Sequence, residues 1–322
     1  MKAVRIQENG GAEVLRYEEV ATPAPGAGEA LVRIEAVGVN FIDIYFRLGL
    51  YKAALPITLG QEAAGVVEAV GPGVTEVRPG DRVAYAGVLG SYAEYAVAPT
   101  ARLVTLPAGV DARSGAAAML QGMTAHYLAC HTFPLGPGHT ALVHAAAGGV
   151  GLLLTQMAKM RGARVIASVG SAEKAQLARQ AGADEAIVYT EQDFQAEAMR
   201  LTGGKGVDVV YDSVAKATWE KSLYSLRPRG MLVLFGNASG AAPAIDPLLL
   251  TQRGSLFLTR PKLGDYTATR EELLARAGEV LGWVASGRLK LRIEHVYPLA
   301  EAAQAQRALE GRQTTGKVLL IP

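Results

Sequence analysis

The sequence predicts an α/β protein in two parts: an irregular β domain and a doubly wound parallel-sheet domain. Three observations point there. Up to about residue 120 the chain runs in short β-rich segments separated by Pro/Gly turns. From about residue 116 to 285, strand-like and helix-like segments alternate. Inside that second stretch a glycine-rich turn, Ala145-Ala146-Ala147-Gly148-Gly149-Val150-Gly151, joins a strand to a helix. The 322 residues suit two domains at roughly 100–200 residues each.

The early segments 30–37, 64–70, 82–86 and 93–97 are alternating or β-branched. Pro23-Ala24-Pro25-Gly26, Gly71-Pro72-Gly73 and Pro79-Gly80-Asp81 punctuate them. Few helical periods precede Asp111. Six candidate strands follow, at 140–144, 164–169, 185–189, 208–212, 231–235 and 255–259. Candidate helices at 152–160, 173–181, 194–201 and 219–226 lie between them. That alternation means βαβ units and a parallel sheet. The tail adds a helix at 271–286, a short strand, a helix at 299–311 and a last strand at 317–321.

Composition narrows the function classes. With 50% hydrophobic and 19% charged residues, the chain has ample material for packed cores and is not disordered. A net charge of +2 leaves no nucleic-acid footprint. One cysteine, Cys130, excludes an internal disulfide and a multi-cysteine zinc site. Residues 140–157 approach the length of a membrane span, but Gly148, Gly149, Gly151 and His144 interrupt them, and strand, turn and helix explain them better. Met1 leads into a charged, strand-like start with no cleavable signal pattern, so a cytoplasmic location is expected.

The glycine turn sits where a dinucleotide pyrophosphate binds in such sheets. Its pattern is A-x-x-G-x-x-G, with Ala145 where glycine is usual. Glycine lets the backbone approach the phosphates, and the first helical N–H groups then face the anion. A tight turn in a non-binding α/β domain is the plainer reading. An NAD user places an acid at the tip of the second strand, about 20 residues on. Here that strand ends in Gly170-Ser171-Ala172-Glu173-Lys174, with no acid at the tip. Lys174 in a first helical turn opposes the helix dipole. A nucleotide 2′-phosphate would offset that cost, with Ser171 donating beside it, which favours NADPH. The alternative is a solvated lysine behind a plain Ser171 N-cap.

These residues carry a resemblance. Val39-Asn40-Phe41-Ile42-Asp43, Gly60-Gln61-Glu62-Ala63-Ala64-Gly65, Gly80-Asp81-Arg82-Val83, the turn at 145–151, Val210-Tyr211-Asp212-Ser213 and Phe235-Gly236-Asn237 resemble zinc-independent medium-chain dehydrogenases/reductases. The nearest likeness is the NADPH:quinone oxidoreductase branch that includes zeta-crystallin. The resemblance runs essentially end to end. It implies a GroES-like β domain from residues 1–122 and 268–322, and a Rossmann NADP-binding domain from 123–267. It also implies a nucleotide and substrate meeting in the cleft between the two, and a homodimer joined through strand 255–259.

Residue by residue, the resemblance puts Asn40, Asp43 and Tyr45 in the loop facing the nicotinamide, with Tyr51 just beyond. Thr124 matches a contact to the nicotinamide ribose phosphate. Gly148, Gly149 and Val150 match the pyrophosphate turn. Ser171, Lys174 and Tyr189 match the 2′-phosphate pocket. Phe235, Asn237 and Ser239 match the loop after the fifth strand, and Arg260 matches a basic residue at the cleft. The zinc branch of the superfamily has cysteine at Asn40 and histidine at Gln61, so both ligands are missing and no metal is expected. His126, Cys130 and His131 do not make a zinc site by spacing; helix packing explains them.

Tyr45 and Tyr51 read either as half-buried packing or as a ring wall for a planar substrate. Arg260 reads either as a charge stabiliser or as a partner of a backbone carbonyl. Glu62 reads as a structural or cleft-lining carboxylate. The expected activity is NADPH-dependent hydride transfer to a quinone, with Asn40, Tyr45, Tyr51 and Arg260 as the candidate catalytic residues. Reduction of an enone or alkenal C=C bond on the same fold is the nearest alternative. A non-catalytic nucleotide- or RNA-binding, crystallin-like protein is the other.

Overall fold

The computed structural model describes all 322 residues. The chain divides into two compact units, Met1–Met123 with Tyr266–Pro322, and Thr124–Asp265. In chain order the first unit begins with β1 (Lys2–Ile6), β2 (Arg16–Glu19), β3 (Glu29–Val39), α1 (Phe41–Arg47), β4 (Ile57–Thr58), β5 (Glu62–Val70), β6 (Arg82–Ala86), β7 (Tyr95–Pro99) and β8 (Val104–Thr105), and α2 (Ala112–Tyr127) runs from it into the second unit, which takes Thr124 onward. The second unit holds β9 (Thr140–His144), α3 (Gly149–Met160), β10 (Arg164–Val169), α4 (Ala172–Gln180), β11 (Glu185–Val188), α5 (Phe194–Leu201), β12 (Val207–Asp212), α6 (Trp219–Tyr224), β13 (Leu226–Leu234), α7 (Pro247–Gln252) and β14 (Phe257–Thr259). The chain then returns to the first unit with α8 (Arg270–Ala285), β15 (Ile293–Pro298), α9 (Ala302–Glu310) and β16 (Lys317–Ile321).

The first unit is organised around β3, whose 11 residues pair antiparallel with β5, β7 and β16. Its path runs β15-β16-β3-β5-β6-β8, and a smaller sheet runs β2-β1-β4. Val4, Val32, Val37, Leu59, Tyr85, Val318 and Leu320 are among the side chains of its core. The register of the last strand matters most for the site. Val318 lies opposite Val39 and Leu320 opposite Val37. Lys317 is thereby held beside Asn40, at the carboxyl end of β3.

The short helix α1 has no counterpart in the helical periodicity of the sequence. Its seven residues are too few to show a period. Its start was encoded all the same, because Asp43 at the third helical position accepts from the Asn40 backbone N–H at 2.9 Å.

The second unit is a six-stranded parallel sheet in the order β11-β10-β9-β12-β13-β14. That is the doubly wound arrangement, in which the order reverses between β9 and β12 and the strand ends there open a crevice. Leu142, Ile166, Ile187, Val210 and Leu232 form its core with Phe194 and Leu223 from the helices. Residues 140–157 are β9, the turn and most of α3, and no helix of the chain is long and apolar enough to cross a membrane. The last strand covers Phe257–Thr259, shorter than the 255–259 run, because Ser255 takes a left-handed backbone with φ 57°.

Candidate functional site

In the second unit, the turn after β9 has the features of an anion cradle. Gly148 is the N-cap of α3 and supplies no side-chain acceptor, so the first N–H groups of a 12-residue helix are not capped from within. Gly151 is required by packing: a Cβ there would stand 2.4 Å from the Ala145 carbonyl oxygen and 2.7 Å from the Ala146 Cα. Ala145, where glycine is usual, adopts a left-handed φ of 50°. Gly148, Gly149 and Val150 are all half-buried at this turn. The observed donors fit a pyrophosphate.

Ser171, Lys174 and Tyr189 come together at the carboxyl ends of β10 and β11. Ser171 is the N-cap of α4, and its Oγ accepts from the Lys174 backbone N–H at 3.3 Å. Capping spends a lone pair and leaves the hydroxyl proton to donate, so the cap and the phosphate reading coexist. Tyr189 N–H donates to the Val169 carbonyl at 2.9 Å, which sets the tyrosine beside the strand tip. No carboxylate stands at that tip, where β10 passes through Gly170 into Ser171.

The β12–β14 end of the same sheet carries the remaining candidates. Asp212 accepts from the Val214 and Ala215 backbone N–H groups at 2.8 and 3.0 Å, and from the hydroxyls of Thr218 and Ser222. Ser222 Oγ in turn meets His144 Nε2 at 2.9 Å. Burial holds His144 below its usual pKa. Ser239 donates to the Val214 carbonyl at 2.7 Å and accepts from Ala217 N–H at 3.0 Å, tying the two loops together. Phe235 N–H donates to the Asp212 carbonyl at 2.9 Å. A cavity of about 470 Å³ opens here, lined by Leu234, Asn237, Pro243, Ile245, Leu258 and Arg260, among others. Arg260 donates to the Leu234 carbonyl at 3.0 Å and lines the cavity, so its two sequence readings are compatible.

In the first unit, Asn40 is the hub of a buried polar cluster. Its Nδ2 donates to Glu62 Oε2 at 2.8 Å and to the Gly38 carbonyl at 3.1 Å. Its Oδ1 accepts from Lys317 Nζ at 3.0 Å and from Gln121 Nε2 at 3.1 Å. Lys317 also donates to Glu62, and the Leu120 N–H donates to Glu62 Oε1 at 2.5 Å. Lys317 is 2% exposed and Glu62 0%. Gly38 makes room: a Cβ there would lie 2.2 Å from Glu62 Oε2 and 2.6 Å from the Ala116 carbonyl oxygen. Asp43 is fully buried beneath this cluster. Burial pushes its carboxyl up to about 7 despite bonds from the Asn40 backbone and the Tyr92 hydroxyl.

Tyr45 and Tyr51 pack edge to face with ring centroids 5.5 Å apart, and Phe46 meets Tyr51 at 5.7 Å. Tyr45 is 7% exposed, so it presents little more than an edge, while Tyr51 is half-buried. Thr124 is 8% exposed on α2, three residues after Gln121. Lys317 and Gln121 were missed by sequence reasoning. The only signal for Lys317 was the strand pattern at 317–321, which says nothing of its partner, and Gln121 gave none.

Zinc finds no suitable donor set. No group of three or more His, Cys, Asp or Glu side chains is placed to hold a metal ion. At Asn40 both lone-pair sites of Oδ1 are taken, and the adjacent cation is a lysine ammonium.

Two family models match the chain: an alcohol dehydrogenase GroES-like domain over residues 26–108 and a zinc-binding dehydrogenase over 149–273. The quinone oxidoreductase of Pseudomonas aeruginosa is 49% identical over 323 residues, covering 100% of this chain and 99% of that protein. The chain belongs to the quinone oxidoreductase family. Quinone oxidoreductase 1 of Escherichia coli K12 is 45% identical, with 99% of each chain covered. The crystal structure of an E. coli quinone oxidoreductase in complex with NADPH superposes with a TM-score of 0.98 at 44% identity, over 100% of both chains. Both units are thus those of this family: a GroES-like β unit and a Rossmann parallel sheet.

Proposed function

We propose that the chain is an NADPH-dependent quinone oxidoreductase that works without zinc. The observation that carries this is the full-length likeness to quinone oxidoreductases, one of them bound to NADPH. When bound, the nicotinamide supplies a hydride, and a quinone is an acceptor electron-poor enough to take it without a Lewis acid. The chain's own residues bind and orient. The α3 N-terminus, with Gly148, Gly149 and Val150, holds the pyrophosphate. Ser171, Lys174 and Tyr189 hold the 2′-phosphate. Thr124, Phe235, Asn237 and Ser239 belong to the nicotinamide half of the nucleotide site. Ser239 serves there by fixing the loop, since its hydroxyl is spent on Val214 and Ala217.

Of the four candidate catalytic residues, Tyr45 and Tyr51 of the first unit and Arg260 of the second keep that role in this reading, and Asn40, whose amide is committed to its neighbours, is a positioning residue. Asn40 acts as the fixed centre of its cluster, the tyrosine pair as an apolar wall for a planar ring, and Arg260 as a donor near developing negative charge. The freedom from zinc is supported by the chemistry at Asn40, where an ammonium and two amides meet one carboxylate. An alcohol dehydrogenase needs zinc to acidify its bound alcohol, whereas quinone reduction removes no hydroxyl proton. Assembly is proposed as a symmetric dimer through β14, an edge strand paired only with β13 and carrying Phe257 at 55% exposure. A monomer mass in dilute solution refutes that part alone.

The activity is tested by following NADPH absorbance with a benzoquinone or naphthoquinone, with and without a strong chelator. The expected result is quinone-dependent oxidation that the chelator leaves unchanged, and no turnover of NADP with a primary alcohol. Chelator-sensitive alcohol oxidation overturns the zinc reading. Turnover of enones but not quinones overturns the choice of acceptor.

A further inference from the structure

We propose that the cavity at the β13–β14 end of the parallel sheet takes a ring-fused quinone bearing an anionic substituent such as a carboxylate, and that Arg260 recognises that charge. This deepens the reading above by naming the class of acceptor, and it rests on that reading.

The cavity is built within one unit. In the parallel pairing of β13 with β14, Leu232 lies opposite Leu258 and Val233 opposite Thr259, and the next step sets Leu234 beside Arg260. Residues two apart share a face of a strand, so Leu258 and Arg260 leave the end of β14 on one side, and both line the cavity. Pro243 and Ile245, from the segment before α7, add further apolar wall. The volume of about 470 Å³ lies inside the roughly 300–1,000 Å³ of ligand clefts, so more than a single benzoquinone ring has room.

Arg260 is the one charged residue of the lining, and no acid is among the others. Its guanidinium is tethered at one end and open at the other. Nη1 donates to the Leu234 carbonyl at 3.0 Å, and that is its one hydrogen bond within the chain. The edge formed by Nε and Nη2 meets no protein group. That edge is a fork of two parallel donors, the arrangement that matches a carboxylate. A neutral quinone would cover the apolar wall and leave the fork unused. A small anion would use the fork and leave the wall wet. A planar ring with an anionic substituent satisfies both. The nucleotide is the poorer match, because its phosphates are provided for at α3 and at Ser171, and its nicotinamide carries no negative charge.

The experiment compares 1,4-naphthoquinone with 1,4-naphthoquinone-2-sulfonate as acceptors, by NADPH absorbance, and reads the ratio of their kcat/KM values in each protein. A contribution of Arg260 to the chemical step lowers both acceptors alike and cancels in that ratio. Arg260→Met should lower the sulfonate-to-neutral ratio about three- to tenfold, mainly through KM of the sulfonate, and Arg260→Lys should restore part of it. Ala241 is exposed on the cavity lining, so Ala241→Glu should lower the ratio as well while Ala241→Gln keeps it. These two keep the test alive if loss of the Leu234 bond unfolds the Arg260 variants. A ratio in Arg260→Met and Ala241→Glu equal to that of the native chain overturns the proposal and marks Arg260 as a solvated surface cation. NADPH is titrated into the same proteins; a loss of NADPH affinity in Arg260→Met with the ratio unchanged assigns the guanidinium to the nucleotide and also overturns it. A native chain that reduces neither acceptor refutes the functional reading itself, whereas one that reduces only the neutral quinone refutes this inference alone.

Discussion

Replacing Lys317 by methionine should destabilise the chain far more than the loss of a surface charge. The side chain is 2% exposed, and its ammonium serves both Asn40 Oδ1 and Glu62. Methionine fills similar volume but removes the only cation hydrogen-bonded to a carboxylate that is itself 0% exposed. Glu62 keeps the Leu120 N–H at 2.5 Å and Asn40 Nδ2 at 2.8 Å, so it stays partly solvated by dipoles. Breaking one side of a buried pair costs about 3–5 kcal/mol, because the partner's charge is left uncompensated. At roughly 2–4 °C per kcal/mol for a cooperative unit of this size, the melting midpoint should fall by about 6–20 °C.

Glu62→Gln alone should also destabilise, by stranding the ammonium. The double variant Lys317→Met/Glu62→Gln removes both charges and should lose less than the sum of the two singles, by about 2 kcal/mol or more. Thermal and urea unfolding of the four proteins, followed by circular dichroism, measures the cycle. Single losses below about 1 kcal/mol that add in the double variant would refute the reasoning. They would mean that water reaches the pair and screens it as at a surface.

Three shorter predictions follow from other parts of the molecule. Lys174→Ala should weaken NADPH binding about tenfold or more and leave NADH nearly unchanged, measured by titration of each nucleotide; equal losses would mark Lys174 as structural. Gly151→Ala should cost about 1–3 kcal/mol of stability and weaken both nucleotides, because its Cβ meets backbone atoms at 2.4 and 2.7 Å that move only with the turn. Asp43→Asn should change the pH profile of unfolding. Asp43 titrates near 7 when folded and near 3.8 when unfolded, so between those values the folded chain holds the extra proton. Its contribution to stability is therefore present at low pH and is lost as pH rises from about 4 to 7, on the order of 2 kcal/mol of it between pH 5 and 7. The asparagine variant should lack that fall, and a native-minus-variant difference independent of pH would refute it.

Much of the fold was legible because its signals are local. The six strands of the parallel sheet, the glycine turn and the Ser171 cap each declare themselves within a dozen residues. The cluster at Asn40 was not legible, because its bonds span the chain. Lys317 reaches Asn40 across 277 positions and Glu62 across 255. The sequence marks 317–321 as a strand, but the choice of β3 as its neighbour, and the register that sets Lys317 beside Asn40, come from packing. Likewise Glu62 reads from sequence as a carboxylate of uncertain use. Its partners arrive from β16, from α2 and from the end of β3, each fixed by tertiary structure.

The same cluster bears on the proposed freedom from zinc. A zinc ion needs lone pairs from thiolate, imidazole or carboxylate, and it needs them unshared. Asn40 and Gln121 are amides whose mutual bond already uses an oxygen lone pair of one and a donor of the other. The single carboxylate, Glu62, is matched by the single ammonium, Lys317, and Asp43 adds little charge below its raised pKa of about 7. The centre is then close to neutral, and a dication entering it would have to displace the lysine first. Neutrality also suits hydride transfer to a quinone. Negative charge develops on the acceptor oxygen and spreads over its ring, so the reaction asks for fixed donors and a dry wall more than for a strong local field.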